Sequence, residues 1–183
     1  MKVFLNPGHD TKYDSGAVNP STGMRECDVV SDVCERVAGY LQKVGIAVES
    51  LQSDNLYYDS SYSDRQIPVC VAANNSGADI FISVHCNAAT GTAQGTETLV
   101  YSWGGTSTQL ANCIQNQIIN SLGTVDRGLK VRNDLIVLKR TDMPAVLVEL
   151  AFIDNNSDAM LLANARDDFA RAIARGITDF QNL

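Results

Sequence analysis

The chain has 183 residues, 45% of them hydrophobic and 19% charged, a length and composition that fit one compact domain with a sizeable core over residues 1–183. Its net charge of −7 excludes the dense Lys/Arg surface that nucleic-acid backbones require, so no nucleic-acid partner is expected. No apolar run approaches the roughly 20 residues of a membrane span, and the chain starts without the basic segment, apolar stretch and cleavage site of a secretory signal; synthesis in the cytoplasm, with no membrane insertion, is expected.

Residues 2–7 read as a first strand, followed by a loop from Gly8 to Arg25 that is rich in Gly, Asp, Ser, Asn and Pro. Loops this long in a compact domain usually carry function. Val29, Val30, Val33, Val37, Leu41 and Val44 form a stripe at three- and four-residue steps, which predicts a helix over 26–44 that Gly45 ends. Residues 46–51 alternate as a second strand. A polar, tyrosine-rich stretch over 54–64 leads into a helix that reaches Asn75, with Pro68 in its first turn, and Ser76-Gly77 closes it. Residues 79–85 and 96–102 read as strands, and Leu110, Ile114, Ile118 and Leu122 mark another helix. After Gly123 a connector ends in a short strand, Leu135-Ile136-Val137-Leu138, and a further apolar strand covers 145–150. Phe169, Ile173, Ile177 and Phe180 form the seam of the last helix. Strands alternating with helices predict an α/β fold with a mostly parallel sheet of about six strands, covered on both faces.

The five cysteines are odd in number and show no CxxC spacing, so they read as buried thiols. Cys86 adjoins His85, but neighbouring side chains on a strand point to opposite faces and do not share an ion.

The only two histidines, His9 and His85, each stand just past an apolar strand-like run. Sheets of this class place chemistry beyond the carboxyl ends of their strands, so two imidazoles from distant segments would meet at one edge, as in a metal site. Zinc in hydrolases commonly takes three ligands from His, Asp or Glu and leaves the fourth position open. Glu26, where the long loop becomes a helix, is the candidate third ligand; its other reading is a first-turn acid complementing the helix dipole. Glu149 interrupts Ala145-Val146-Leu147-Val148, where a buried charge costs several kcal/mol unless it is paired, protonated or near a metal. It is the candidate general base, or else the partner of an arginine.

These residues fall in segments that resemble the zinc-dependent N-acetylmuramoyl-L-alanine amidases of the type 3 family, the catalytic domains of bacterial cell-wall amidases and of phage endolysins. The matching segments are Asn6-Pro7-Gly8-His9 with Asp14-Ser15-Gly16-Ala17, Glu26 before a helix, Ile82-Ser83-Val84-His85-Cys86-Asn87-Ala88, and Pro144 through Ile153. The resemblance implies a three-layer α/β/α domain, one zinc held by His9, Glu26 and His85, Glu149 as the catalytic glutamate, and Asn87 and Ala88 lining the site. It implies cleavage of the amide between N-acetylmuramic acid and L-alanine in peptidoglycan, on the cell wall; a monomer is expected. Asp10, Ala151 and Asp154 depart from the family's usual residues and bear on loop geometry and substrate fit. Arg127, Lys130, Arg132, Lys139 and Arg140 gather in one short stretch; these residues, Arg132 foremost, are candidates for meeting the carboxylates of a peptide stem, and their other reading is a solvated face balancing local acid. The alternatives are a zinc peptidase acting on other peptides and a wall-binding module without turnover.

Overall fold

A computed structural model describes residues 1–57 and 67–183; the tyrosine-rich stretch beyond residue 57 lies outside them. In chain order the elements are β1 (Lys2–Pro7), α1 (Glu26–Lys43), β2 (Ala47–Ser50), α2 (Val69–Asn75), β3 (Ile80–Asn87), β4 (Thr96–Val100), α3 (Gly105–Leu122), β5 (Asp126–Val131), α4 (Ile136–Lys139), β6 (Ala145–Phe152), α5 (Asn156–Asn164) and α6 (Arg166–Gln181). The strands form one six-stranded sheet in the order β2-β1-β3-β6-β4-β5. Every neighbouring pair is parallel except β4 with β6, so β4 and β5 run against the other four.

The apolar runs become central strands because both sheet faces are covered. One face packs Val3, Leu5, Ile82, Val84, Val146 and Val148 against α1, α3 and α6. The other packs Phe4, Phe81, Leu99 and Leu147 against α2 and α4, with the Phe4 and Phe81 rings stacked at 5.8 Å. This second face turns polar toward the carboxyl ends of β1 and β3, where the Ser83 hydroxyl donates to Asn6 Oδ1 at 2.8 Å. The functional groups follow one step further along.

Three expectations need correction. Residues 135–138 are not a strand: Ile136–Lys139 is one short helical turn, and its Val137 and Leu138 bury against the second face. The sixth strand is instead β5, which the sequence left inside a connector. It is a charged edge strand, and Gly128 at φ 72° breaks its alternation. Pro68 precedes α2 rather than sitting in its first turn. A helix the periodicity missed, α5, starts at Asn155, whose side chain accepts from the Ser157 and Asp158 amides, an N-cap of the usual kind.

Candidate metal centre

β1 ends at Pro7, and the Gly8 amide extends its pairing by one bond to the Val84 carbonyl. His9 then turns out at φ 65°, the one non-glycine in the left-handed region among the described residues, which histidine tolerates better than most. That turn aims its ring back over the sheet edge. His85, on β3, meets it edge-on, with ring centroids 4.9 Å apart.

Glu26 is the first residue of α1, yet it is buried, with 3% of its surface exposed, which overrides the helix-dipole reading. Its Oε1 faces His85 Nδ1 at 2.9 Å and accepts the Cys86 amide at 2.9 Å. Its Oε2 faces His9 Nε2 at 3.2 Å and accepts the Ala17 amide at 2.9 Å. Donor atoms of His9, Glu26 and His85 thus lie within 4.8 Å of one another. Behind them, Asp14 Oδ2 holds His9 Nδ1 at 2.8 Å, the outer carboxylate that orients a metal-binding imidazole. Burial opposes charge on both partners, but the imidazoles hold Glu26 well below the usual carboxylate range, and Glu26 and Asp14 raise His9 to about 9.

Glu149 stands opposite His85 in the β3–β6 register. Its Oε2 is buried and has no hydrogen-bond partner among the described residues. Burial pushes this carboxyl up to about 7, and Glu26 and Glu97 add to the effect. An orphaned, high-affinity proton acceptor beside two nitrogens and an oxygen is a donor set that fits a divalent ion with an ionisable water. Among the described residues no arginine pairs with Glu149.

A cleft of about 150 Å³ opens here, lined by His9, Asp14, His85, Leu56, Ile136 and Leu147. Leu135, Ile136 and Val137 are therefore a wall of the cleft. A larger depression, about 570 Å³, lies between the 19–25 loop and α5 and contains none of these groups.

Asn87 donates from Nδ2 to Glu97 at 3.1 Å, and its Oδ1 accepts the Ala88 amide at 3.0 Å; neither residue is among those that line the cleft. The Asp154 carboxylate fastens the adjoining loop through the Ala89 and Gly91 amides. Arg132, just past β5, closes its guanidinium on Asp134 with two bonds of 2.8 Å. Sequence reasoning assigned no role to Asp14, Gly8, Gly16 or Glu97. An acid inside the Thr96-Glu97-Thr98-Leu99-Val100 strand carried the same signal as Glu149 and could have been read.

Fold and site together define an α/β domain with a two-histidine, one-glutamate centre at the carboxyl edge of its sheet and a partnerless carboxylate beside it. The profile of the N-acetylmuramoyl-L-alanine amidase family matches residues 3–179, and the chain belongs to that family. It is 36% identical to the endolysin of Bacillus phage SPP1, over 99% of this chain and 66% of that protein. It is also 36% identical to the N-acetylmuramoyl-L-alanine amidase LytC of Bacillus subtilis, over 97% of this chain but 35% of that one. The chain thus spans about two thirds or less of these relatives. Among solved structures, the amidase AmiC2 of Nostoc punctiforme superposes with a TM-score of 0.86 at 27% identity, covering 100% of this chain and 98% of its own.

Proposed function

We propose that residues 1–183 form a zinc-dependent catalytic domain that hydrolyses the amide between N-acetylmuramic acid and L-alanine in peptidoglycan. The observation that carries the reading is the meeting of His9, Glu26 and His85 beside the orphaned Glu149 oxygen. In this reading His9, Glu26 and His85 hold one zinc ion per chain. Two imidazoles and a carboxylate with an open position suit zinc. When bound, the ion polarises the scissile carbonyl and makes a water acidic near neutral pH.

The remaining work falls to the chain itself. Asp14 keeps His9 in the tautomer that presents Nε2 inward. Glu149 accepts the attacking water's proton at Oε2, then delivers it to the departing nitrogen, which leaves poorly as an amide anion. A carboxyl with a raised pKa serves both steps, since it neither releases nor retains the proton too strongly at neutral pH. Asn87 and Ala88 line the approach, Arg132 supports the far rim, and the cleft wall from α4 excludes water from one side. The domain acts as a monomer on the cell wall. No helix among the described residues is long and apolar enough to cross a membrane.

The test is a digest of purified peptidoglycan with and without a chelator, scored for new alanine amino termini. Release that the chelator abolishes and zinc restores is expected. Cleavage of free peptides but not of muramyl peptide would move the assignment to a peptidase, and no turnover at all would leave a wall-binding module.

A further inference from the structure

Across β3, β6 and β4 the register sets His85, Glu149 and Glu97 in one row on the same face. Glu97 ends that row. It is buried, with 8% of its surface exposed, and a single oxygen, Oε2, receives two cations: Arg127 Nε at 2.7 Å and Lys130 Nζ at 3.0 Å. Both come from β5, three residues apart, where a regular strand would place them on opposite faces. The ladder is not regular. Thr96 lies opposite Asp126 and Thr98 opposite Leu129, so two steps on β4 span three on β5, with Gly128 supplying φ 72°. This bulge brings both cations to the row, and bulges of this kind re-aim side chains beside active sites.

One cation suffices to neutralise Glu97, so the second is surplus. Glu97's other contact is the neutral Asn87 amide. Among the described residues Lys130 has no further partner, and Arg127 touches only the Gln94 carbonyl at 3.5 Å and the face of Phe152 at 4.9 Å. The side chains of Arg127 and Lys130 remain 31% and 43% exposed, respectively. Among the described residues, a protein of net charge −7 therefore keeps one positive charge without an acidic partner at the far end of this row. Arg132, in contrast, is neutralised by Asp134.

We propose that Arg127 and Lys130, aligned by Glu97 and the Gly128 bulge, form a subsite for a free carboxylate on the stem peptide. The proposal rests on the amidase reading. In a muramoyl-alanine substrate the lactyl carboxyl is consumed by the scissile amide, so the anionic charge belongs to the peptide. The peptide then lies toward β5.

Two soluble muropeptides that differ only in whether the stem carboxylate is free or amidated test this in the full chain. Wild type is expected to show a KM roughly tenfold lower for the acid, the scale of one charge-assisted contact. Lys130→Gln should bring the ratio of the two KM values near one, and Lys130→Arg should keep it. A ratio near one in wild type, or one unchanged in both Lys130→Gln and Arg127→Gln, overturns the subsite. Calorimetric binding of the same pair to Glu149→Gln protein separates the two readings. If wild type cleaves neither substrate the amidase reading falls; the subsite survives only if binding still favours the acid and Lys130→Gln removes that preference.

Discussion

Two glycines make room for the candidate metal centre. A Cβ on Gly8 would lie 2.5–2.6 Å from both nitrogens of the His85 ring, and one on Gly16 would lie 2.5 Å from His9 Cδ2 and 2.6 Å from Glu26 Oε2. Gly16 also sits at φ 66°, which adds about 1 kcal/mol of strain for any other residue. Gly16→Ala is therefore expected to weaken zinc binding at least tenfold, read by competition with a chromogenic chelator; wild-type affinity would show that the cluster yields freely. The raised proton affinities of Glu149 and His9 carry a second expectation. Glu149, raised from 4.5 to about 7, and His9, raised from 6.5 to about 9, both keep a proton in the folded state that the unfolded chain has already lost. Their stabilisation is complete below the unfolded values and is lost as pH rises through the folded ones. The lowered carboxylates Glu26, Asp14 and Glu97 act with the opposite sign, at lower pH. Chelator-stripped protein should thus lose up to ~3 kcal/mol through Glu149 as pH climbs toward 7, and Glu149→Gln should flatten that fall in urea titrations. A stability that rises over this window in wild type contradicts the assignment. His9, His85 and Glu149 were legible because the chain has two histidines, both at strand ends, and because an acid broke an apolar run. Asp14 and Glu97 were not singled out: one is an acid in a polar loop, and the other's two cations reach it only through a bulge.

Elements that bury a continuous apolar face were legible, and those at the edges were not. α1, α3 and α6 announce themselves by stripes that pack into one core. The four apolar residues at 135–138 fit a buried strand as well as a buried helical turn, and periodicity cannot separate the two at that length. β5 alternates poorly because it is a charged edge with an inserted residue, a common way to protect an edge from further pairing. The α3–α6 contact depends on one close approach: a Cβ on Gly176 would stand 2.6 Å from Ile114 Cα and 2.9 Å from its nitrogen. Alanine there gains about 1 kcal/mol of helix propensity, but the obstacle is backbone, and overpacking costs about 1–3 kcal/mol. Gly176→Ala is expected to lower the melting temperature while leaving zinc content unchanged. A higher melting temperature would show that the helices separate without cost.

At the scale of the whole molecule, the sheet order brings the ends of β1 and β3 side by side, with β6 as the next strand. Three segments distant in sequence thereby deliver His9, His85 and Glu149 to one edge, and the 8–25 loop folds Glu26 back to join them. The count of six strands agrees only because residues 135–138, a helical turn, stood in for β5, but the fold class could be read from the alternation of apolar runs and helices. The reversal of β4 and β5 could not, because strand direction is set by the chain's path between elements and not by their composition. Metal content measured together with activity addresses the central claim most directly. The account predicts one zinc per chain in wild type, loss of that zinc in His9→Ala and in His85→Ala, and full zinc with no release of alanine amino termini in Glu149→Ala. Undiminished zinc in both histidine variants, or wild-type turnover in Glu149→Ala, would contradict it.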